Sequence, residues 1–198
     1  MTTRRPSISK SAVATGRGDD GTTGLLYGGR VRKDDPRTEA YGAVDEAVAA
    51  LGIARFELAA ADLTELSDSV LRWQRELFVV GAELATNPDA RERLQNGVTR
   101  VSEAMLEGIE AELARWEAAI EMPREFIVPG ETRASAALEL ARTVLRRAER
   151  RVIALQRIVE LGGGWTVPYL NRLADLTWVM ARVAEQGENV PATKARLR

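Results

Sequence analysis

Residues 134–155 read ASAALELARTVLRRAERRVIAL, and this stretch decides the architecture. Ala134, Leu138, Ala141, Leu145, Ala148, Val152 and Leu155 recur at alternating steps of four and three, the seam of a helix packed inside a bundle. Arg142, Arg146, Glu149 and Arg150 stand at i, i+4, i+7 and i+8. They share a second face, one position or roughly 100° from the seam. Such a face can line a cleft while its neighbours fill the core. Arginine suits a polyphosphate because its planar fork makes paired, charge-assisted hydrogen bonds without losing its proton. A solvated face with intrahelical Glu–Arg pairs, each contributing about 0.2–0.5 kcal/mol, fits the same spacing.

Outward from this helix the apolar period stays helical. Val44, Val48, Leu51 and Leu58 predict a first helix over about 36–60, after Asp35-Pro36. Leu63, Leu66, Val70, Trp73, Leu77 and Leu84 step through a second, which stops near Asn87-Pro88. Val98, Val101, Met105, Ile109, Leu113 and Trp116 mark a third. A loop over Met122–Thr132 holds Pro123, Pro129 and Gly130, and Gly162-Gly163-Gly164 breaks the chain again. The fifth helix is predicted from about Pro168 to Glu185. No strand alternation and no internal repeat is visible. The prediction is an all-α, five-helix bundle of ferritin-like up-down topology. Residues 36–186 form the bundle, 1–35 a loop-like arm, and 187–198 a mobile basic tail.

Composition narrows the chemistry. The 198 residues suffice for one domain with a proper core, and 45% are hydrophobic. Lys+Arg 28 against Asp+Glu 29 leaves a net charge of -1, which gives no general field for nucleic acid or an anionic membrane. No apolar run approaches the roughly 18–20 residues that span a bilayer. Arg4 and Arg5 precede no apolar stretch, so neither a membrane span nor a secretory signal is expected and a cytoplasmic location is. The chain has neither His nor Cys. Thiol nucleophiles, Ser-His-Asp triads, imidazole bases and the Glu-x-x-His sites of di-iron bundles are therefore excluded. Carboxylates, Arg, Lys, backbone N–H groups and hard cations remain.

Four other segments could carry chemistry. Thr15-Gly16-Arg17-Gly18-Asp19-Asp20-Gly21-Thr22-Thr23-Gly24, followed by Lys33, offers glycines and hydroxyls to phosphate oxygens. It is not a Walker A loop, since no Gly-Lys-[Ser/Thr] ends it, and a flexible Gly/Thr-rich arm fits these residues too. Asp45 lies beside the apolar stripe of the first helix, where a partly buried carboxylate pairs readily with an arginine of the fourth. Asn171, in Tyr169-Leu170-Asn171-Arg172-Leu173-Ala174-Asp175, suits either a base or ribose edge or an N-terminal cap. Phe126, in Phe126-Ile127-Val128-Pro129-Gly130, reads by default as core.

The order of these motifs along residues 14–185 strongly resembles that of the PduO-type ATP:cob(I)alamin adenosyltransferases. The resemblance carries Thr-x-x-Gly-Asp-x-Gly-Thr-Thr, Arg30-Val31-Arg32-Lys33-Asp34, Asp45-Glu46, the Phe126 loop, Arg146-Arg147-Ala148-Glu149-Arg150 and Tyr169–Asp175. It implies a homotrimer with active sites at the subunit interfaces. It also implies transfer of the 5′-deoxyadenosyl group of ATP to the Co(I) of a reduced cobalamin, with Mg²⁺ assisting and triphosphate leaving. Thr15, Gly16, Arg17, Gly18, Thr23, Gly24 and Lys33 would cradle the triphosphate. Arg146, Arg147, Glu149, Arg150 and Asn171 would make the remaining ATP contacts. Arg142 would pair with Asp45 across the interface, and Phe126 would press on the lower face of the corrin. Cob(I)alamin is an extreme nucleophile, so alignment and charge neutralisation suffice and no imidazole base is needed. A cobalamin-dependent mutase or a reductase is the protein partner that such chemistry suggests.

The chain departs from the family pattern at five places. Gly16 and Arg17 stand where a basic residue and a Thr are usual, Val48 where Asn is, Glu131 where a second Gly is, and Glu139 where His is. The alternative reading is a relative that holds ATP or a corrinoid as sensor or carrier without turnover. A purely structural bundle would keep its function without residues 1–24.

Overall fold

The bundle begins where the Asp35 side chain accepts a hydrogen bond from Arg37 N (2.8 Å) and Pro36 takes the first helical turn. Both residue types are suited to opening a helix. Helix α1 then runs Pro36–Ala60, α2 Thr64–Ala85, α3 Glu103–Ala119, α4 Arg133–Gln156 and α5 Thr166–Gly187. This computed structural model describes residues 11, 13, 14 and 16–196. Helix α4 lies at the centre, packed mainly on α1 and α5, while α2 covers α1 and α3 covers α5. Arg151–Glu39 (2.9 Å), Arg147–Glu46 and Arg133–Glu57 (3.4 Å) run in opposite order along the two helices, so α1 and α4 are antiparallel.

The predicted seam of α4 is the core: Leu138, Ala141, Leu145, Ala148 and Val152 are wholly buried against Leu51, Leu58, Trp73, Leu77 and Leu170. Each such leucine contributes roughly 1.5–3 kcal/mol of transfer free energy. Two polar groups inside the bundle show how helices are tied together or closed. Arg37, 3% exposed, donates to the carbonyls of Leu84 (2.7 Å) and Thr86 (3.3 Å) and so closes the C-terminus of α2 with a cation. Glu112 accepts from Ser69 Oγ (2.6 Å) and Trp73 Nε1 (3.0 Å), joining α3 to α2.

Three details differ from the sequence-based expectation. Val98 and Val101 precede α3 instead of starting it. Ser102 caps that helix by accepting from Met105 N (3.4 Å), Val101 reaches the core from the loop, and Val98 stays exposed. Helix α5 starts at Thr166, because Pro168 falls in the first turn, where no N–H is needed. Two small antiparallel ladders are present: β1 (Thr22–Gly24) with β2 (Arg30–Arg32), and β3 (Ile127–Val128) with β4 (Thr193–Lys194). Ladders of two or three residues are too short for alternation to register. The β1–β2 turn uses Tyr27, Gly28 and Gly29 at φ 66, 99 and 80°, and Leu26 N donates to Ala85 O (2.9 Å), fixing the hairpin to the end of α2. Among the described residues no helix is long and apolar enough to cross a membrane.

Burial pushes the carboxyls of Glu76, Glu83 and Glu185 above their ordinary value of 4.5. A folded state that holds these protons more tightly than the unfolded chain gains stability as pH falls through the raised values, and loses it as pH rises through them. Asp20 and Asp34 shift the opposite way, but they titrate below 3.8 and are silent in this window. With no His in the chain, the expected result is a melting temperature that rises as pH is lowered from neutrality toward the ordinary carboxyl value of 4.5. Glu83→Gln should flatten that rise. Calorimetry that finds the parent flat or falling over this interval contradicts the assignment.

Candidate functional site

The loop between α3 and α4 folds back over the start of α4 and the middle of α5. Its course is fixed by the β3–β4 ladder, by Ala195 N donating to Phe126 O (2.8 Å), and by Lys194 Nζ on Glu125 Oε1 (3.1 Å). Under it opens a cleft of about 1140 Å³, lined by Pro123, Arg124, Phe126, Pro129, Glu139, Arg142, Trp178 and Arg196. Phe126 is 86% exposed at this cleft, not packed in the core as the default reading had it. An aromatic ring held on a braced loop and left in water forfeits much of its burial energy, which marks it as a surface for a large apolar ligand.

A second cleft of about 390 Å³ adjoins the first and is more polar. Arg142, Arg146, Glu117, Asp175 and Trp178 line it, and Arg142 and Trp178 belong to both clefts. Arg146 and Arg150 are exposed on the predicted α4 face and make no hydrogen bond or ion pair among the described residues. Glu149 Oε1 accepts from Asn171 Nδ2 (3.3 Å), and Asn171 Oδ1 accepts from Arg172 Nη1 (2.9 Å). Asn171 therefore lies in the second turn of α5, braced by α4, and is not a helix cap. Arg147 and Arg151 turn the other way, onto Glu46 and Glu39 of α1. Trp178, Arg124 and Arg196 carry no motif. The signal that finds Trp178 is the α5 face Asn171, Asp175, Trp178, Arg182 at i, i+4, i+7 and i+11.

The glycine-rich segment is described from Gly16 onward, and Thr15 lies outside the described residues. Asp19 N donates to Gly16 O (3.2 Å) and Gly21 N to Gly18 O (3.2 Å), two successive turns. Asp20 Oδ1 accepts from both Thr22 N (2.9 Å) and Thr22 Oγ1 (2.8 Å), which holds its carboxyl below the usual range. Arg30 Nη2 donates to Arg17 O (2.7 Å). A Cβ at Gly18 would lie 3.0 Å from Lys33 Nζ, so the loop and the lysine are in close apposition. Gly16 takes φ 69, a left-handed conformation that glycine adopts without strain. Thr23 and Gly24 stand opposite Val31 and Arg30 in the hairpin.

Within one chain this loop and the α4 arginines sit on separate elements, the loop anchored to the end of α2. Asp45 corrects an expectation: it is exposed on α1, beside an apolar groove of about 420 Å³ that Tyr41, Val48 and Phe78 also line. The neighbouring Glu46 is the residue that faces α4. Within the chain Arg142 Nε donates to Glu139 Oε2 (2.7 Å). Among the described residues no group of three His, Cys, Asp or Glu side chains converges to hold a metal.

Fold and site together define an all-α bundle in which a polar cleft holding Arg142 and Arg146 opens beside a larger one rimmed by Phe126. Such a pair suits a phosphate-bearing ligand next to a bulky apolar one. The family model for cobalamin adenosyltransferase matches residues 13–184, and the chain belongs to that family. A corrinoid adenosyltransferase from Citrobacter freundii is 39% identical over 180 residues, covering 91% of this chain and 98% of that protein. One from Mycobacterium bovis is 36% identical over 185 residues, covering 93% and 94%. Solved structures of a PduO-type ATP:corrinoid adenosyltransferase from Lactobacillus reuteri superpose with a TM-score of 0.83. One, of an Arg-to-Lys variant complexed with ATP, shares 29% identity and covers 93% of this chain and all of that one. Another, of a Phe-to-Ala variant complexed with cobalamin and ATP, shares 30% identity and covers 92% and 98%.

Proposed function

We propose that this chain adenosylates a reduced corrinoid with ATP at the junction of the two clefts. The observation that carries this reading is that Arg142 and Trp178 line both, so a nucleotide along α4 and a corrin under Phe126 would meet there. The Co(I) lone pair attacks the ribose C5′ and the Co–C bond forms. The C5′–O5′ bond breaks, and its electron pair leaves with the triphosphate. The chain contributes alignment of the two substrates and stabilisation of charge on the departing oxygens, by Arg146, Arg150 and Lys33. Magnesium would ride on the triphosphate oxygens; among the described residues no carboxylate cluster converges to hold it.

The site is completed by a neighbouring subunit in this reading. The Gly16–Gly24 loop with Lys33 would reach over the α4 arginines of the next chain in a homotrimer. Asp45, exposed on α1, would then meet the next chain's Arg142. A reducing system must supply Co(I) before each transfer.

The test is anaerobic: purified protein, Mg-ATP and chemically reduced cobalamin, followed by absorbance. Decay of the cob(I)alamin band into a light-sensitive adenosylcobalamin spectrum, with one triphosphate per cobalt, is expected. Persistence of cob(I)alamin while ATP still binds would point to a sensor or carrier instead.

A further inference from the structure

Glu139 is a buried acid at the floor of the larger cleft, 4% exposed and on the first half of α4. Its two oxygens serve different arginines. Oε2 accepts from Arg142 Nε (2.7 Å), and Oε1 lies 3.1 Å from Arg182 Nη1. Arg182 belongs to α5 and is 1% exposed. Glu185 holds it from the other side through Nη2 (2.9 Å) and Nε (2.8 Å), and the Trp178 ring centre lies 5.5 Å from its guanidinium carbon. The network holds two cations and two anions, so its formal charge cancels and burial is compensated.

This is not a solvent-exposed pair of the generic i, i+3 kind, which contributes little and fixes nothing. The acceptor is buried, and it is anchored to a second helix. It engages Arg142 through Nε alone and leaves the two terminal nitrogens to other partners. Arg142 is the residue on which both clefts converge, and its side chain is 25% exposed.

We propose that Glu139 is a positioning residue for adenosyl transfer, fixing the Arg142 guanidinium so that its terminal nitrogens stay directed into the space shared by the two clefts, where the next chain's Asp45 would meet them in the reading above. The proposal rests on the function argued above. It assigns a role to one of the positions at which this chain departs from the family pattern.

The experiment is a double-mutant cycle on the full chain with Glu139→Gln, Arg142→Ala and the double variant, with Glu139→Asp alongside. kcat and both KM values are read anaerobically. Glu139→Gln should lower kcat roughly 10- to 100-fold while both KM values stay within about threefold, as expected for a misplaced catalytic group. The double variant should be no slower than Arg142→Ala by more than about twofold, and Glu139→Asp should recover part of the rate. Multiplicative losses in the double variant, or a Glu139→Gln loss that appears only in melting temperature, overturn the proposal. If the parent itself transfers no adenosyl group, the functional reading has failed and the crystal structure of Glu139→Gln decides the positioning role. A displaced Arg142 side chain supports it, and an unmoved one overturns it.

Discussion

Replacement of Arg146 by Ala is expected to lower kcat by about 10²–10³-fold, a loss of roughly 3–4 kcal/mol in transition-state stabilisation, as for removal of one preorganised donor to a developing anion. Negative charge grows on the departing triphosphate, and Arg146 lies exposed in the polar cleft, where it makes no hydrogen bond or ion pair among the described residues although Glu117 and Asp175 line the same cleft. Among the described residues no hydrogen-bond partner has to be displaced for it to meet substrate. Nothing in the bundle depends on it, so the melting temperature should hold. Arg146→Lys should fall between parent and Ala, keeping the charge and losing the fork. Arg147 provides the contrast on the adjacent position: it is paired with Glu46, and an exposed pair of that kind contributes less than about 1 kcal/mol to stability. Single-turnover mixing of Mg-ATP with cob(I)alamin separates the effects. An Arg146→Ala rate within a few-fold of the parent would remove this residue from the mechanism.

The α4 stretch was legible because every demand on it agrees: the seam fills the core, and the adjacent face is left for solvent or ligand. The start of α3 was not. Val98, Val101 and Met105 keep helical spacing, yet Gly97 at φ 75 and the Ser102 cap leave the first two ahead of the helix. Apolar spacing records burial, and a loop valine such as Val101 buries as well as a helical one. The same limit applies to Asp45 and Glu46. They lie about 100° apart around α1, and periodicity does not decide which acid meets α4. Glu139 is harder still. Its burial depends on Arg182 of α5, a pairing set by how two helices pack and not by any local pattern. In the proposed reading the site is split for a related reason: its glycine-rich loop and its arginines are recognisable as motifs, but their meeting would depend on assembly.

Phe126 carries the second large expectation, and stability and activity should separate there. At 86% exposure, truncation to Ala removes no core contact, so the melting temperature should move little. Activity should not be spared. The backbone of Phe126 is pinned by Ala195 N and the β3–β4 ladder, so the ring cannot retreat from a ligand entering the cleft. Against a corrin, such a ring would displace the lower axial base. Loss of that ligand eases reduction to Co(I), because axial ligation sets the potential of the metal. Phe126→Ala should then slow the reaction by on the order of 100-fold, equivalent to about 2.7 kcal/mol, when the protein starts from cob(II)alamin and a reductant. The loss should shrink to a few-fold when cob(I)alamin is supplied already reduced. Phe126→His, which puts a ligating nitrogen where the chain has none, should be at least as slow as Ala from cob(II)alamin. Equal losses from both starting oxidation states would mean that the ring only holds the corrin in place, and its role would then be binding without control of the metal.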